Sequence, residues 1–314
     1  MMRALVCLAI AGSAGAQPFA DRVVDYDPVP GQFVGDPAFN DPARALGPPI
    51  GAGPFDGGTD SVVTLGGFGG SITLAMSATV WDDPRNLLGL DAIVFGNAFY
   101  FLGDPTRRFA EAGLIEIARD ANGNGLADDP FFPIAGPQGA GLPLDETMNS
   151  AVLDAGPGAE LEIAFGYADL SPVLPMPEGE SAEVFYTRPD DPTRVGIDPG
   201  SGGGDAFDIA WAVLPGTLTR AELDGFDFIR ITTGVDAPPG PFGEVSTEID
   251  AVADATPPCP ADVNADGAIN GSDFFAWVAA FGAGSYLADQ NLDGSVDGSD
   301  FFAWVAAFGV GCPG

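Results

Sequence analysis

The 314-residue sequence has no lysine and no histidine, and it has only three cysteines. The missing histidine removes the commonest general base and the usual partner of a nucleophilic Ser or Cys. With so few cysteines, it also argues against zinc and copper centres. Chemistry is left to carboxylates, tyrosine and hard metal ions. Arginine carries all the positive charge: 11 basic residues face 45 acids, a net charge of −34. A surface of that sign repels nucleic acid and anionic membranes and attracts divalent cations. The apolar run near the start, Ala4 to Ala11, is far shorter than the roughly 18 residues of a membrane span.

Glycine and proline are abundant, 45 and 29 residues, while 46% of the chain is apolar. Enough apolar material for a core, broken into short runs by turn formers, reads as an all-β chain. Residues 1–16 have the form of a secretory signal: Arg3, a short apolar stretch, then Ala14-Gly-Ala16 before Gln17. The expected destination is therefore extracellular or the cell surface. Cleavage would remove Cys7 and leave Cys259 and Cys312. In an exported chain these two suggest a disulfide, the alternative being two free thiols.

Residues 17–255 read as one β-sandwich or jelly-roll-like domain. Strands are expected at 61–65, 71–76, 90–95, 114–119, 131–135, 161–165, 206–213, 226–232 and 245–252. The glycine run 66–70 reads as a connection between two strands and not as a phosphate loop. A loop with oxygen side chains at alternate positions, Asp120, Asn122 and Asn124, continues through Gly125, Leu126 and Asp128. It follows the start of a calcium loop, although Phe131 stands where a closing acid belongs. The other reading is a polar hairpin loop. Asp205, Asp208, Glu244, Glu248 and Asp250 lie near strands, and two of them could form a glycosidase pair, although a solvated surface is the expectation for any pair. Trp81 and Trp211 are expected to be half-buried core residues, the alternative being rings that stack on sugars. The segments Val63–Leu74, Val94–Phe99, Arg119–Asp129 and Gly243–Glu248 resemble uncharacterised bacterial cell-surface proteins expected to be β-sandwiches. That resemblance implies no established activity.

Residues 256–314 begin with the stiff linker Thr256-Pro-Pro-Cys-Pro260 and then carry one motif twice, 27 residues apart. Loop positions 1, 3, 5, 9 and 12 are Asp262, Asn264, Asp266, Asn270 and Asp273 in the first copy. They are Asp289, Asn291, Asp293, Asp297 and Asp300 in the second. Gly267 and Gly294 stand at the sharp turn, and Ala268 and Ser295 offer backbone carbonyls at position 7. This register is that of a loop wrapping a calcium ion. Each copy runs into Phe-Phe-Ala-Trp-Val-Ala-Ala-Phe-Gly, which predicts a helix. The proline-rich segment before Asp262 rules out the preceding helix of an ordinary EF-hand.

Loop then helix, written twice, resembles a type I dockerin, and the flanking cysteines resemble a GC-type variant. The resemblance implies a small α-helical module that binds two Ca2+ ions and docks onto a cohesin-like scaffold or cell-envelope protein. It implies partner contacts at the repeated segment: Ser272, Phe274, Phe275 and Trp277, with Ser299, Phe301, Phe302 and Trp304. Near two-fold symmetry would permit docking in either of two orientations. The chain so described is a secreted, non-catalytic, tethered protein. The alternatives are a carboxylate-based O-glycosyl hydrolase acting on polysaccharide, or a glycan-binding module; no catalytic residue stands out.

Overall fold

The computed structural model describes residues 17–58, 61–84, 86–136, 152–154, 166–192, 194, 196–236, 245–255, 261–264, 269–283, 288, 290–291 and 295–310. The expected signal, the linker, Cys259, Cys312, Glu244, the strand at 161–165 and loop residues Asp266, Ala268, Asp289 and Asp293 lie outside these. The chain is mainly β. In order, the strands are β1 (Ala20–Asp27), β2 (Val63–Thr64), β3 (Ser71–Trp81), β4 (Ala92–Phe95), β5 (Phe99–Tyr100), β6 (Arg107–Phe109) and β7 (Gly113–Ala118). They continue with β8 (Phe132–Pro133), β9 (Val152–Asp154), β10 (Tyr167–Ala168), β11 (Asp205–Phe207), β12 (Gly225–Thr233), β13 (Glu248–Ile249) and β14 (Ala251–Asp254). The α-helices are α1 (Ala182–Phe185), α2 (Gly271–Ala283) and α3 (Gly298–Val310).

The largest sheet runs β1-β3-β12-β7-β10, with β8 beside β7. Its two faces follow from the two-residue period of a strand. On the inner face Ile229 lies between Leu74 and Ile117, and Ile231 between Ile72 and Ile115. These rows join Ile93, Phe95, Phe207 and Val252 of the three-stranded sheet β11-β4-β14 in one core. On the outer face Phe228 lies between Ala75 and Ala118, whose small side chains leave room for its ring. Val24, Ala127 and Phe131 pack onto that group. Beside it, Arg230 Nη2 pairs with Glu116 Oε2 at 2.7 Å and its guanidinium lies 4.2 Å from the Phe131 ring centroid. The loop between β7 and β8 is thus held on the sheet by its own far end.

Several expectations need correction. The strand expected at 206–213 stops at Phe207, because Asp208 accepts a hydrogen bond from Ala210 N at 2.7 Å and caps a 3-10 turn at Ile209–Trp211. The strand expected at 245–252 divides at Asp250, whose carboxylate turns aside to accept from Ile50 N at 2.8 Å. β1 was not anticipated: Asp21, Arg22, Asp25 and Asp27 give this edge strand a polar sequence without an apolar alternation. Trp211 is buried, while Trp81 is 53% exposed, with the Arg119 guanidinium 4.8 Å from its ring centroid. The glycine run does connect β2 to β3. Gly66 has φ +74°, and a Cβ there would meet the Val29 carbonyl oxygen at 2.0 Å, so only glycine fits.

Candidate functional site

The two copies of the C-terminal motif share one set of loop hydrogen bonds. Asp273 is fully buried and accepts from Asn270 N at 2.7 Å and Asn264 N at 3.4 Å. Asp300 is equally buried and accepts from Asp297 N at 2.8 Å and Asn291 N at 3.2 Å. In each copy the position-12 carboxylate stands in the first turn of its helix, where the positive end of the helix dipole favours it. Asn264 Nδ2 donates to Ser272 Oγ at 3.1 Å, and Asn291 Nδ2 to Ser299 Oγ at 2.9 Å. Ser272 N donates to Asn270 Oδ1 at 2.9 Å, and Ser299 N to Asp297 Oδ1 at 2.8 Å. The hydrogen bonds from Ser299 to Asp297 hold that carboxyl below its usual range.

These bonds draw Asn264, Asn270 and Asp273 together in one loop, and Asn291, Asp297 and Asp300 in the other. Asp262 and Ser295 lie in the same loops. Every side-chain donor is an oxygen, and no nitrogen or thiolate competes. That donor set suits a hard cation such as calcium.

The helices pack through a small core of their own. Trp277, Ala288 and Trp304 are buried, flanked by Val263, Ala280, Val296 and Phe301. Trp304 Nε1 donates to Ala261 O at 3.3 Å. Trp277 and Trp304 therefore belong to the interior of the module, which corrects their expected place among partner contacts. Phe274 and Phe301 are turned partly toward this core, with ring centroids 6.3 Å apart. Phe275 and Phe302, by contrast, are 72% and 74% exposed, and Ser272 and Ser299 are exposed beside them.

The loop at 120–129 closes on itself. Asp120 accepts from Asn124 N at 3.0 Å and Gly125 N at 2.7 Å. Asn122 Oδ1 accepts from Asn124 N at 3.0 Å, and Asn124 Oδ1 from Leu126 N at 2.8 Å. Asp128 accepts from the side-chain amides of Asn122 and Asn124 at 3.1–3.3 Å. The structure therefore brings together Asp120, Asn122, Asn124 and Asp128, all from an exposed loop.

A second set of acids was missed in the sequence. Glu111, Asp169 and Glu248 are buried, and a carboxylate oxygen from each lies within 4.8 Å of the other two. Glu111 precedes β7, Asp169 follows β10 and Glu248 opens β13. Burial pushes Glu111 up to about 7 and holds Asp169 and Glu248 well above the usual carboxylate range; neighbouring carboxylates push the latter two further. Asp205 and Asp250 are buried as well, which overturns the solvated surface expected for them. Only the pattern Glu-Val-Ser-Thr-Glu, with acids and hydroxyls inside an apolar strand segment, hinted at this.

No protein-family model matches the chain, and no curated protein matches it. Among the described residues, no helix is long and apolar enough to cross a membrane.

Proposed function

We propose that the protein is exported and that its C-terminal segment is a calcium-dependent docking module of the dockerin kind, carried by a non-catalytic β-sandwich-like domain. The observation that carries this reading is the repetition of one hydrogen-bond set in two oxygen-only loops. A pair of loops that share both ligand register and local geometry is built for two ions of the same kind. The helices that follow hold Trp277 and Trp304 inside and leave Phe275 and Phe302 in water. Two large aromatic rings exposed at equivalent places are suited to a partner surface. A cohesin-like protein of a scaffold or cell envelope is the proposed partner.

Calcium supplies charge neutralisation here. It draws the loop carboxylates together, and binding energy becomes folding energy. The chain's own residues do the rest: Asp273 and Asp300 tie each loop to its helix, and the helices present the aromatic rings. The acids that could have formed a hydrolytic pair, Asp205, Glu248 and Asp250, are buried, so no catalytic role is assigned to them.

Isothermal titration of the chelated full chain with calcium, followed by capture of a source cell-envelope fraction with and without chelator, tests the proposal. Calcium binding and calcium-dependent capture are expected. Equal capture in chelator would overturn the docking mechanism.

A further inference from the structure

The Glu111–Asp169–Glu248 cluster differs from a surface patch of acids in how its members are held. Asp169 adopts a left-handed backbone conformation, φ +60°, which is uncommon outside glycine. Its Oδ1 accepts from Asn97 N at 2.8 Å and Ala98 N at 3.0 Å, and its Oδ2 accepts from Glu248 N at 3.0 Å. Glu111 Oε1 accepts from Ser246 N at 3.0 Å, and its own backbone oxygen accepts from Thr247 Oγ1 at 2.8 Å. Glu111 N donates to Asp169 O at 3.2 Å. Three distant parts of the chain are thus locked together around these carboxylates.

Glu248 is the exception within this network. Its side chain is 1% exposed, and with all three groups ionised neither carboxylate oxygen has a hydrogen-bond donor; only by taking up a proton could it pair with the Glu111 carboxyl beside it. A buried carboxylate without donors is a costly arrangement. Among the described residues, no salt bridge brings positive charge to it. The chain has no lysine or histidine. Among the described residues, the ion pairs formed by Arg119, Arg194 and Arg230 lie with Asp224, Asp227, Asp198 and Glu116. Arg108 directs one Nη to Leu170 O and Ser171 Oγ instead.

The other acidic group, Asp82, Asp91 and Asp208, shows the contrast. There Asp91 accepts from Asp83 N, Asn86 Nδ2 and Ile209 N, and Asp82 is exposed. Its oxygens are satisfied by the protein, whereas those of Glu248 are not.

We infer that Glu111, Asp169 and Glu248, an all-oxygen set, hold a hard divalent cation such as calcium inside the β-rich region. One oxygen from each of the three carboxylates lies within 4.8 Å of the other two, close enough for a single divalent ion to touch all three. The ion completes the coordination of Glu248 and cancels most of the buried charge. It ties the approach to β7, the turn after β10 and the start of β13 into one unit. Because the ligands are shielded from water, the ion is captured during folding and exchanges only when this region opens.

This site is independent of the C-terminal loops, and slow release separates the two. The full chain is refolded in calcium, exchanged into chelator under native conditions, desalted and assayed for metal by mass spectrometry. The exposed loops lose their ions in this step. The parent chain is expected to retain a single calcium ion, released only by chelator in guanidinium. Glu248→Gln and Glu111→Gln, treated alike, are expected to retain none. A parent chain that retains no calcium overturns the inference, and that result needs no variant to fold. Folded variants that retain as much calcium as the parent also overturn it. Failure of the docking capture leaves this readout unchanged.

Discussion

Trp277 and Trp304 stack with ring centroids 6.4 Å apart and planes 25° from parallel. Each comes from the same position of its repeat, so the module's small core is built across its own pseudo-two-fold axis. The two are not energetically equal. Trp304 Nε1 reaches Ala261 O, whereas Trp277 Nε1 is buried without a partner. Replacing Trp304 by Phe removes a hydrogen bond and strands a carbonyl, while the same change at Trp277 removes an unsatisfied donor. Trp304→Phe is expected to destabilise the module by about 1 kcal/mol more than Trp277→Phe. Urea unfolding followed by helical circular dichroism measures the difference.

Asp273 and Asp300 close their loops, and an asparagine keeps an acceptor oxygen while losing the charge. Asp273→Asn and Asp300→Asn should each weaken calcium binding at one loop by about tenfold or more, because a full charge beside a divalent ion is lost. Titration calorimetry should show one high-affinity event disappearing for each variant, with the other preserved.

Phe275 and Phe302 contact water in the free chain, so replacing them with serine should change stability by no more than about 0.5 kcal/mol. The effect on capture should be much larger. If docking works in two orientations, either single variant retains binding and the double variant loses it. Loss of binding with one single variant alone would show that only one orientation is used.

Several carboxylates outside both proposed metal sites are buried. Burial pushes Asp91 up to about 7, and burial with the charges of Asp91 and Asp83 pushes Asp254 to about 7. Burial pushes Asp205 and Asp190 to about 6. The ordinary value is 3.8 in each case. The folded state therefore holds these protons more tightly than the unfolded chain. The resulting stability is full below the ordinary value and is lost as pH rises through 6 to 7. In chelator, the melting temperature should rise as pH is lowered from 8 toward 5. A flat profile would show that water reaches these groups. With calcium present the trend should weaken, since the ion needs deprotonated ligands.

Gly96 lies against Asp169, and a Cβ there would stand 2.3 Å from Asp169 Oδ1. Gly96→Ala should cost about 1–3 kcal/mol by overpacking. Thermal unfolding should show the loss in the β-rich transition, with calcium binding by the C-terminal loops unchanged.

Local patterns were legible without coordinates. The doubled loop register lies within 12-residue windows, and each helix follows its loop directly. The strands at β3, β7 and β12 were readable because alternation along one segment records which face meets the core. The same rule failed for β1, where charges on an edge strand hide the pairing. It also failed at residues 208–211, where a capping carboxylate ended the strand.

Which acids matter was another question. Among 45 acids, sequence alone treats Glu111, Asp169 and Glu248 as three solvated charges. They meet only because β7, β10 and β13 converge, and contact between residues so far apart leaves no local period to read. The doubled motif by itself determined a pair of oxygen-rich loops with apolar helices. Only the tertiary structure decided that the tryptophans turn inward and that Phe275 and Phe302 remain in water. Every face of those helices is apolar, so packing geometry, not hydrophobic pattern, selects the buried side.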